Sequence, residues 1–286
     1  MLRASLATFA LAAATLLPAG PAAASGGPEV KIQPAPINRQ DLASVQRGAR
    51  LFVNYCMGCH GAQYMRYNRM ATDLHLEEKQ IVENLITRGT LAKDGYVSDK
   101  VGDTMKTAMD RADAKEWFGV VPPDLSVEAR VRGVDWLYAY FRGYYRDEKS
   151  ATGWNNLVFP NVAMPHVLWE LGGQNKLQVT EFEDHDKAAG AFVQTQAVSS
   201  LDAMHVEVGG KSKAKYVLRV VEPDKAGKLS ARDYDASVAD LVNYLDYIAE
   251  PGRTNRIQLG IKVLIFLAML YVFAYWTKRE YWKDVH

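Results

Sequence analysis

Cysteine is nearly absent from this 286-residue chain; the only two are Cys56 and Cys59. Two residues between them would close a very small loop, typical of redox-active pairs rather than of structural staples. A charge imbalance is also missing. Lys plus Arg number 34 against 33 for Asp plus Glu, so the formal net charge is +1. That excludes nucleic-acid binding through bulk charge and leaves docking by charge to local patches. No internal repeat or low-complexity tract is visible. What the chain does have, 48% hydrophobic and 23% charged residues, suffices for one or two globular units with a core.

Two apolar runs stand at the ends. Leu6 to Leu17 is too short to span a bilayer; Arg3 precedes it, and Pro18, Gly20 and Pro21 break it. Ala22-Ala23-Ala24 then supplies small residues for cleavage, so residues 1–24 read as a secretory signal peptide. Residues 25–37, rich in Gly and Pro, predict an extended arm. The second run, Ile257 to Trp276, carries Lys262 as its one charge and has the length of a transmembrane helix. Tyr271, Tyr275, Trp276, Tyr281 and Trp282 suit an aromatic belt at its interface. With the body exported, residues 277–286 form a cytoplasmic tail. The expected arrangement is a single-pass protein of the bacterial inner membrane, with residues 38–256 in the periplasm.

Within that body, Asp41 followed by Leu42, Val45, Ala49 and Phe52 predicts a capped helix running into the cysteine pair. Gly48 on it permits close crossing by a second helix. The natural partner carries Leu241, Tyr244, Leu245 and Ile248; Ser230 or Asp233 opens it and Pro251-Gly252 ends it. Val134 to Tyr145 is aromatic-rich and reads as helix, and residues 153–173 as loop. Residues 204–222 alternate like strands around Gly209-Gly210, which predicts a β-hairpin. The expected fold is mainly α, with a small β-hairpin insertion in 174–229 and one C-terminal transmembrane helix.

Chemistry concentrates in Cys56-Met57-Gly58-Cys59-His60. Two thiols one helical turn apart can add to the two vinyl groups along one haem edge, and the next residue then presents an imidazole to the iron. A zinc site would need two further soft or imidazole ligands, and no other cysteine exists. A thioredoxin-like pair would need a βαβ context, which the pattern lacks. The reading is one covalently bound haem c with His60 as an axial ligand.

A second axial ligand would make the haem an electron carrier rather than a binder of small molecules. His75, His166, His185, His205 and several methionines are candidates. Met57 sits inside the attachment motif, and Met65 and Met70 follow His60 closely. Met164 is better placed. Pro165 pushes it toward extended backbone and Pro160 stiffens the approach, so a non-helical loop can hold its thioether over a haem face. His166 is the next candidate. His/Met ligation raises the reduction potential and suits a high-potential carrier.

Several stretches together resemble the cytochrome c1 family, the haem subunits of the ubiquinol–cytochrome c reductase (bc1) complex. They are Asn54 to Gly61, Tyr64-Met65-Arg66-Tyr67, Pro122-Pro123-Asp124-Leu125-Ser126, Arg130 to Tyr138, Pro160 to Pro165, and Glu250-Pro251 ahead of the anchor. The resemblance implies a c-type cytochrome domain with Met164 as the sixth ligand. It also implies Arg132 on a haem propionate, with Arg130 as the near alternative, and Pro123 packed against the haem. The implied partners are cytochrome b, a Rieske iron–sulfur protein as electron donor and a soluble or tethered cytochrome c as acceptor, within a dimeric complex. The chain would not be an enzyme on its own but the electron-transfer subunit of an oxidoreductase. Glu77, Glu78, Asp110 and Asp113 could steer a basic acceptor, or be ordinary solvated charge. One departure is the long 174–229 segment, which holds no convincing site. Competing functions are an anchored cytochrome feeding a terminal oxidase, a peroxidase-like haem enzyme with an open sixth position, and an assembly subunit without redox activity.

Overall fold

The structure, a computed structural model, describes residues 29–87, 89–92, 95–208 and 211–283. The expected signal peptide 1–24, the start of the arm and the Gly209-Gly210 turn lie outside those residues.

In chain order the strands are β1 (Glu29–Val30), β2 (Ala62–Arg66), β3 (Gly89–Ala92), β4 (Gly95–Ser98), β5 (Thr104–Met105), β6 (Tyr144–Arg146), β7 (Trp154–Asn156), β8 (Gln174–Phe182), β9 (Ser199–Val208) and β10 (Lys211–Lys225). The helices are α1 (Leu42–Leu51), α2 (Tyr67–Asp73), α3 (Glu78–Asn84), α4 (Arg111–Phe118), α5 (Glu128–Arg132), α6 (Val134–Arg142), α7 (Trp169–Gly172), α8 (His185–Gln194), α9 (Ala231–Ala249) and α10 (Arg253–Tyr281).

The core is built on the crossing of α1 and α9. Asp41 caps α1 by accepting from the Ser44 amide at 3.0 Å, and Ser230 caps α9 by accepting from the Asp233 amide at 3.2 Å. Where the helices cross, a Cβ on Gly48 would stand 2.0 Å from the Asp240 carbonyl oxygen and 2.7 Å from Tyr244 Cβ. Only glycine lets the two backbones come this close. Phe52 packs on Tyr244 with ring centroids 5.3 Å apart, and both are fully buried alongside Val45, Met70, Leu241 and Leu245. Buried Asn243 donates to Asn38 O and Ser44 Oγ, tying the start of α1 to the middle of α9.

The sheet is larger than the expected hairpin. β9 and β10 pair antiparallel as anticipated, with Val208 opposite Lys211. They belong to a four-stranded sheet ordered β1-β9-β10-β8. Pattern alone does not outline β8 within 174–229: Leu177 and Val179 alternate with polar neighbours, but Val179 is exposed, so the signature of a half-buried strand is weak. The arm is not free either: β1 adds to the sheet edge, with Glu29 opposite Leu201. Next to it, the Lys31 ammonium reaches Val193 O at 2.7 Å and Thr195 O at 2.6 Å, where α8 ends. Helix makes up somewhat under half of the described residues, so "mainly α" holds only roughly.

Two other readings change in detail. The aromatic segment is helical only as far as Arg142, and Tyr144 starts β6 instead. The 153–173 loop contains β7 and the short α7.

After α9, the chain turns at Pro251-Gly252 into α10. Within its segment Asn255–Tyr281, an 18-residue window reaches a mean hydropathy of 2.2, and none of that window is buried within the chain. Charges gather at the junction. Arg39 pairs with Asp246 at 2.5 Å, Arg253 adds to Asp246 at 3.9 Å, and Arg256 pairs with Glu250 at 2.7 Å.

Candidate functional site

α1 does not simply stop. It continues through one π-helical turn, Phe52–Cys56, into the cysteine motif. Such wide turns recur at functional sites because they re-aim side chains without breaking a helix. The Cys59 and His60 amides then fold back onto the Cys56 carbonyl at 3.0 and 2.8 Å. Both thiols and the imidazole consequently line one wall of a cavity of about 460 Å³, within the usual ~300–1,000 Å³ range for small-molecule sites.

The Pro122 to Ser126 segment is stapled to this motif. The Leu125 amide donates to Gly61 O at 2.7 Å. Asp124 accepts from the Gln63 and Ser126 amides, both at 2.9 Å, and Ser126 Oγ accepts from the Tyr64 amide at 3.1 Å. The consequence for His60 is direct. Its Nδ1 lies 2.7 Å from Pro123 O. A carbonyl can only accept, so Nδ1 carries the proton and the Nε2 lone pair is free to bind a metal. Burial lowers the His60 pKa, against the opposing pull of the Pro123 carbonyl, Glu128 and Asp124, which favours the neutral, ligating form.

The cysteines are free thiols. Burial, with Cys59 alongside, pushes Cys56 up to about 12, and burial raises Cys59 as well. Exchange chemistry relies on a lowered thiol pKa, so this pair lacks the property that defines a thioredoxin-like centre.

Across the cavity stands the Phe159–Pro165 loop, with Phe159, Asn161, Val162, Ala163, Met164 and Pro165 all lining it. Asn155 and Asn156 shape this loop. Asn155 Oδ1 accepts from the Asn161 amide at 2.8 Å, which holds Asn161 at φ 61°. Asn156 Oδ1 accepts from the Val158 amide at 2.9 Å, and its Nδ2 donates to Tyr140 O at 2.7 Å. The Tyr140 hydroxyl lies 3.5 Å from Met164 Sδ.

The sequence-derived candidates thus converge: Cys56, Cys59, His60, Pro123, Arg132 and Met164 all line one cavity. Arg132 sits at its rim, 4.9 Å from the Trp136 ring and 5.6 Å from the Phe159 ring, paired with Glu128 at 3.1 Å. Arg130 is exposed. His166 is buried in the core instead, stacked on Tyr144 at 4.8 Å, and burial lowers its pKa to about 4. Met57, Met65 and Met70 are core residues too; Tyr67 donates to Met57 Sδ and Tyr244 to Met70 Sδ. His75 and His185 are exposed. Of the acidic candidates, Glu77 and Asp110 cap α3 and α4. Sequence reading did not single out Tyr140, Asn156 or the apolar Phe118, Val120 and Val121 that complete the lining. An aromatic on an apolar helix reads as core, and nothing local signals otherwise.

An attachment turn facing a Met-Pro loop across an apolar cavity, on a domain tethered by one apolar helix, defines the class of membrane-anchored c-type cytochromes. Comparison with known proteins narrows the class. A family model described as the cytochrome C1 family matches residues 33–195 and 229–285, passing over 196–228, which contains β9 and β10. A cytochrome c1 of Allochromatium vinosum is 41% identical over 98% of both chains. A protein of Nitrosomonas europaea named ammonia monooxygenase gamma subunit is 43% identical over 92% of both. The mitochondrial cytochrome c1 heme protein of Saccharomyces cerevisiae is 24% identical over 87% of this chain and 70% of its own. The chain belongs to the cytochrome c1 family. Its role is that of a haem subunit of the bc1 complex in respiratory electron transfer.

Proposed function

We propose that the cavity holds one haem c, joined through Cys56 and Cys59, with His60 Nε2 and Met164 Sδ as its axial ligands. On this reading, electrons come from a Rieske iron–sulfur protein and go to a soluble or tethered cytochrome c, beside cytochrome b in a dimeric complex. The observation that carries the reading is the convergence of both thiols, an imidazole with a free Nε2 and a thioether on one apolar cavity.

The residues fit such a group. Each protonated thiol can add across a vinyl double bond, forming a C–S bond while its hydrogen goes to the neighbouring carbon. Neither thiol is spent in a disulfide. The Pro123 carbonyl orients His60 and fixes its tautomer, and burial favours the neutral ring. Arg132 at the rim offers a guanidinium for a propionate, and Pro123 lines the wall beside it. Apolar walls keep water from the ligands. When bound, the haem supplies a one-electron iron couple, and the protein makes or breaks no substrate bond. Residues 1–24 act as the signal peptide, 25–37 as the arm, 38–256 as the periplasmic domain with 174–229 inserted, 257–276 as the membrane anchor of the bacterial inner membrane and 277–286 as the cytoplasmic tail.

The test is purification from membranes. The expected result is a covalently bound, low-spin haem that co-purifies with cytochrome b and is reduced by quinol. A high-spin haem that binds CO readily, or purification with a monooxygenase instead of cytochrome b, overturns the reading. The second outcome would favour the role named for the Nitrosomonas relative.

A further inference from the structure

We propose that the hydroxyls of Tyr140 and Tyr144 form a two-position proton switch that sets how strongly the Met164 sulfur donates to iron, and so tunes the haem potential. This rests on Met164 being the axial ligand.

Three contacts define the device. The two hydroxyl oxygens are 2.6 Å apart, Tyr140 Oη is 3.5 Å from Met164 Sδ, and Tyr144 Oη is 3.3 Å from Met164 O. Each hydroxyl has one proton to give. At 2.6 Å one tyrosine must donate to the other, which leaves two arrangements. In the first, Tyr144 donates to Tyr140 and Tyr140 donates to the sulfur. In the second, Tyr140 donates to Tyr144 and Tyr144 donates to the Met164 carbonyl. Both use every proton, and they differ in whether the sulfur receives one.

The surroundings leave the protons as the freedom that remains. Tyr140 stacks on Trp136 at 5.0 Å and Tyr144 on His166 at 4.8 Å, so neither ring can swing away. The Asn156 amide holds Tyr140 O at 2.7 Å and the Asn175 amide holds Tyr144 O at 3.0 Å. Both tyrosines are buried, where a hydrogen bond is stronger than in water. A thioether bound to iron retains one lone pair. A proton donated to it draws charge from the sulfur, weakens its donation and destabilises the electron-poor ferric state more than the ferrous one. The potential is therefore higher in the first arrangement than in the second.

Opposite signs follow for two conservative substitutions. Tyr140→Phe removes the donor to sulfur and lowers the potential. Tyr144→Phe leaves Tyr140 with the sulfur as its acceptor and raises it. The double variant matches Tyr140→Phe. A merely structural role would move both single variants the same way. Tyr234→Phe is the control, because its hydroxyl serves Phe141 O in the same core, at 2.9 Å, and should leave the potential unmoved.

The experiment is redox titration of the haem in the intact membrane complex, with the methionine–iron charge-transfer band recorded for each variant and for Met164→Leu. A downward shift for Tyr140→Phe and an upward shift for Tyr144→Phe, with the band retained in both, support the proposal. Shifts of one sign, or no shift, overturn it. If Tyr140→Phe does not assemble, Tyr144→Phe decides alone, since only a rise agrees. A band that survives in Met164→Leu refutes the ligation itself. Loss of the band there, with unmoved tyrosine variants, refutes the switch alone.

Discussion

The two walls of the cavity are made by different means. The candidate residues of the His60 wall are local, a π-turn and five consecutive residues, and they are braced by the Pro122 to Ser126 segment through amide hydrogen bonds to Gly61 O, the Asp124 carboxylate and Ser126 Oγ. The Met164 wall is assembled from α6, the Asn155–Asn156 pair and the loop they shape. On the proposed reading, covalent attachment falls on the wall whose ligands are contiguous in the chain. The proposed tuning falls on the wall whose parts come from separate stretches, where one hydroxyl can change the chemistry while the fold stays intact.

Substitutions can break that contrast, and the largest effect belongs to the local wall. Replacing Cys56 and Cys59 together by Ser is expected to abolish covalent haem, read as loss of haem stain after denaturing electrophoresis. Retained stain would contradict the attachment. Next comes the scaffold behind that wall. Gly48→Ala drives a methyl into the Asp240 carbonyl of α9 and should destabilise the domain by ~1–3 kcal/mol or more, read by thermal melting of the full chain in detergent. Asp124→Ala leaves the Gln63 and Ser126 amides without their carboxylate, for a loss of ~1–2 kcal/mol and a less firmly held Pro123–His60 contact. The smallest effect is expected far from both walls. Replacing Met204–Lys215 by an Asn-Gly turn shortens the β9–β10 hairpin, part of the stretch the family model passes over. The haem spectrum should not change.

The same contrast separates what sequence reveals from what it conceals. The local wall was legible because its ligands are contiguous and their chemistry is tied to spacing. Gly48 was legible because a glycine at helical spacing beside apolar residues has few other uses. Met164 was nameable through its flanking prolines and the family resemblance. Its neighbours Tyr140 and Asn156 were not, because they reach the site from different parts of the chain and look like ordinary core and loop residues. β8 was not outlined for a related reason: its pairing with β10 stabilises a strand that is mostly solvent-facing, with alternation limited to Leu177 and Val179. His166, the alternative ligand, is stacked on Tyr144 in the core and does not line the cavity.

The central claim is that one haem is clamped between His60 and Met164. The near-infrared spectrum of the ferric protein tests it most directly. The account predicts a methionine–iron charge-transfer band that disappears in Met164→Leu, together with a lowered potential and new binding of external ligands. A band that persists in that variant, or a ferric wild-type protein that is high-spin, would contradict it.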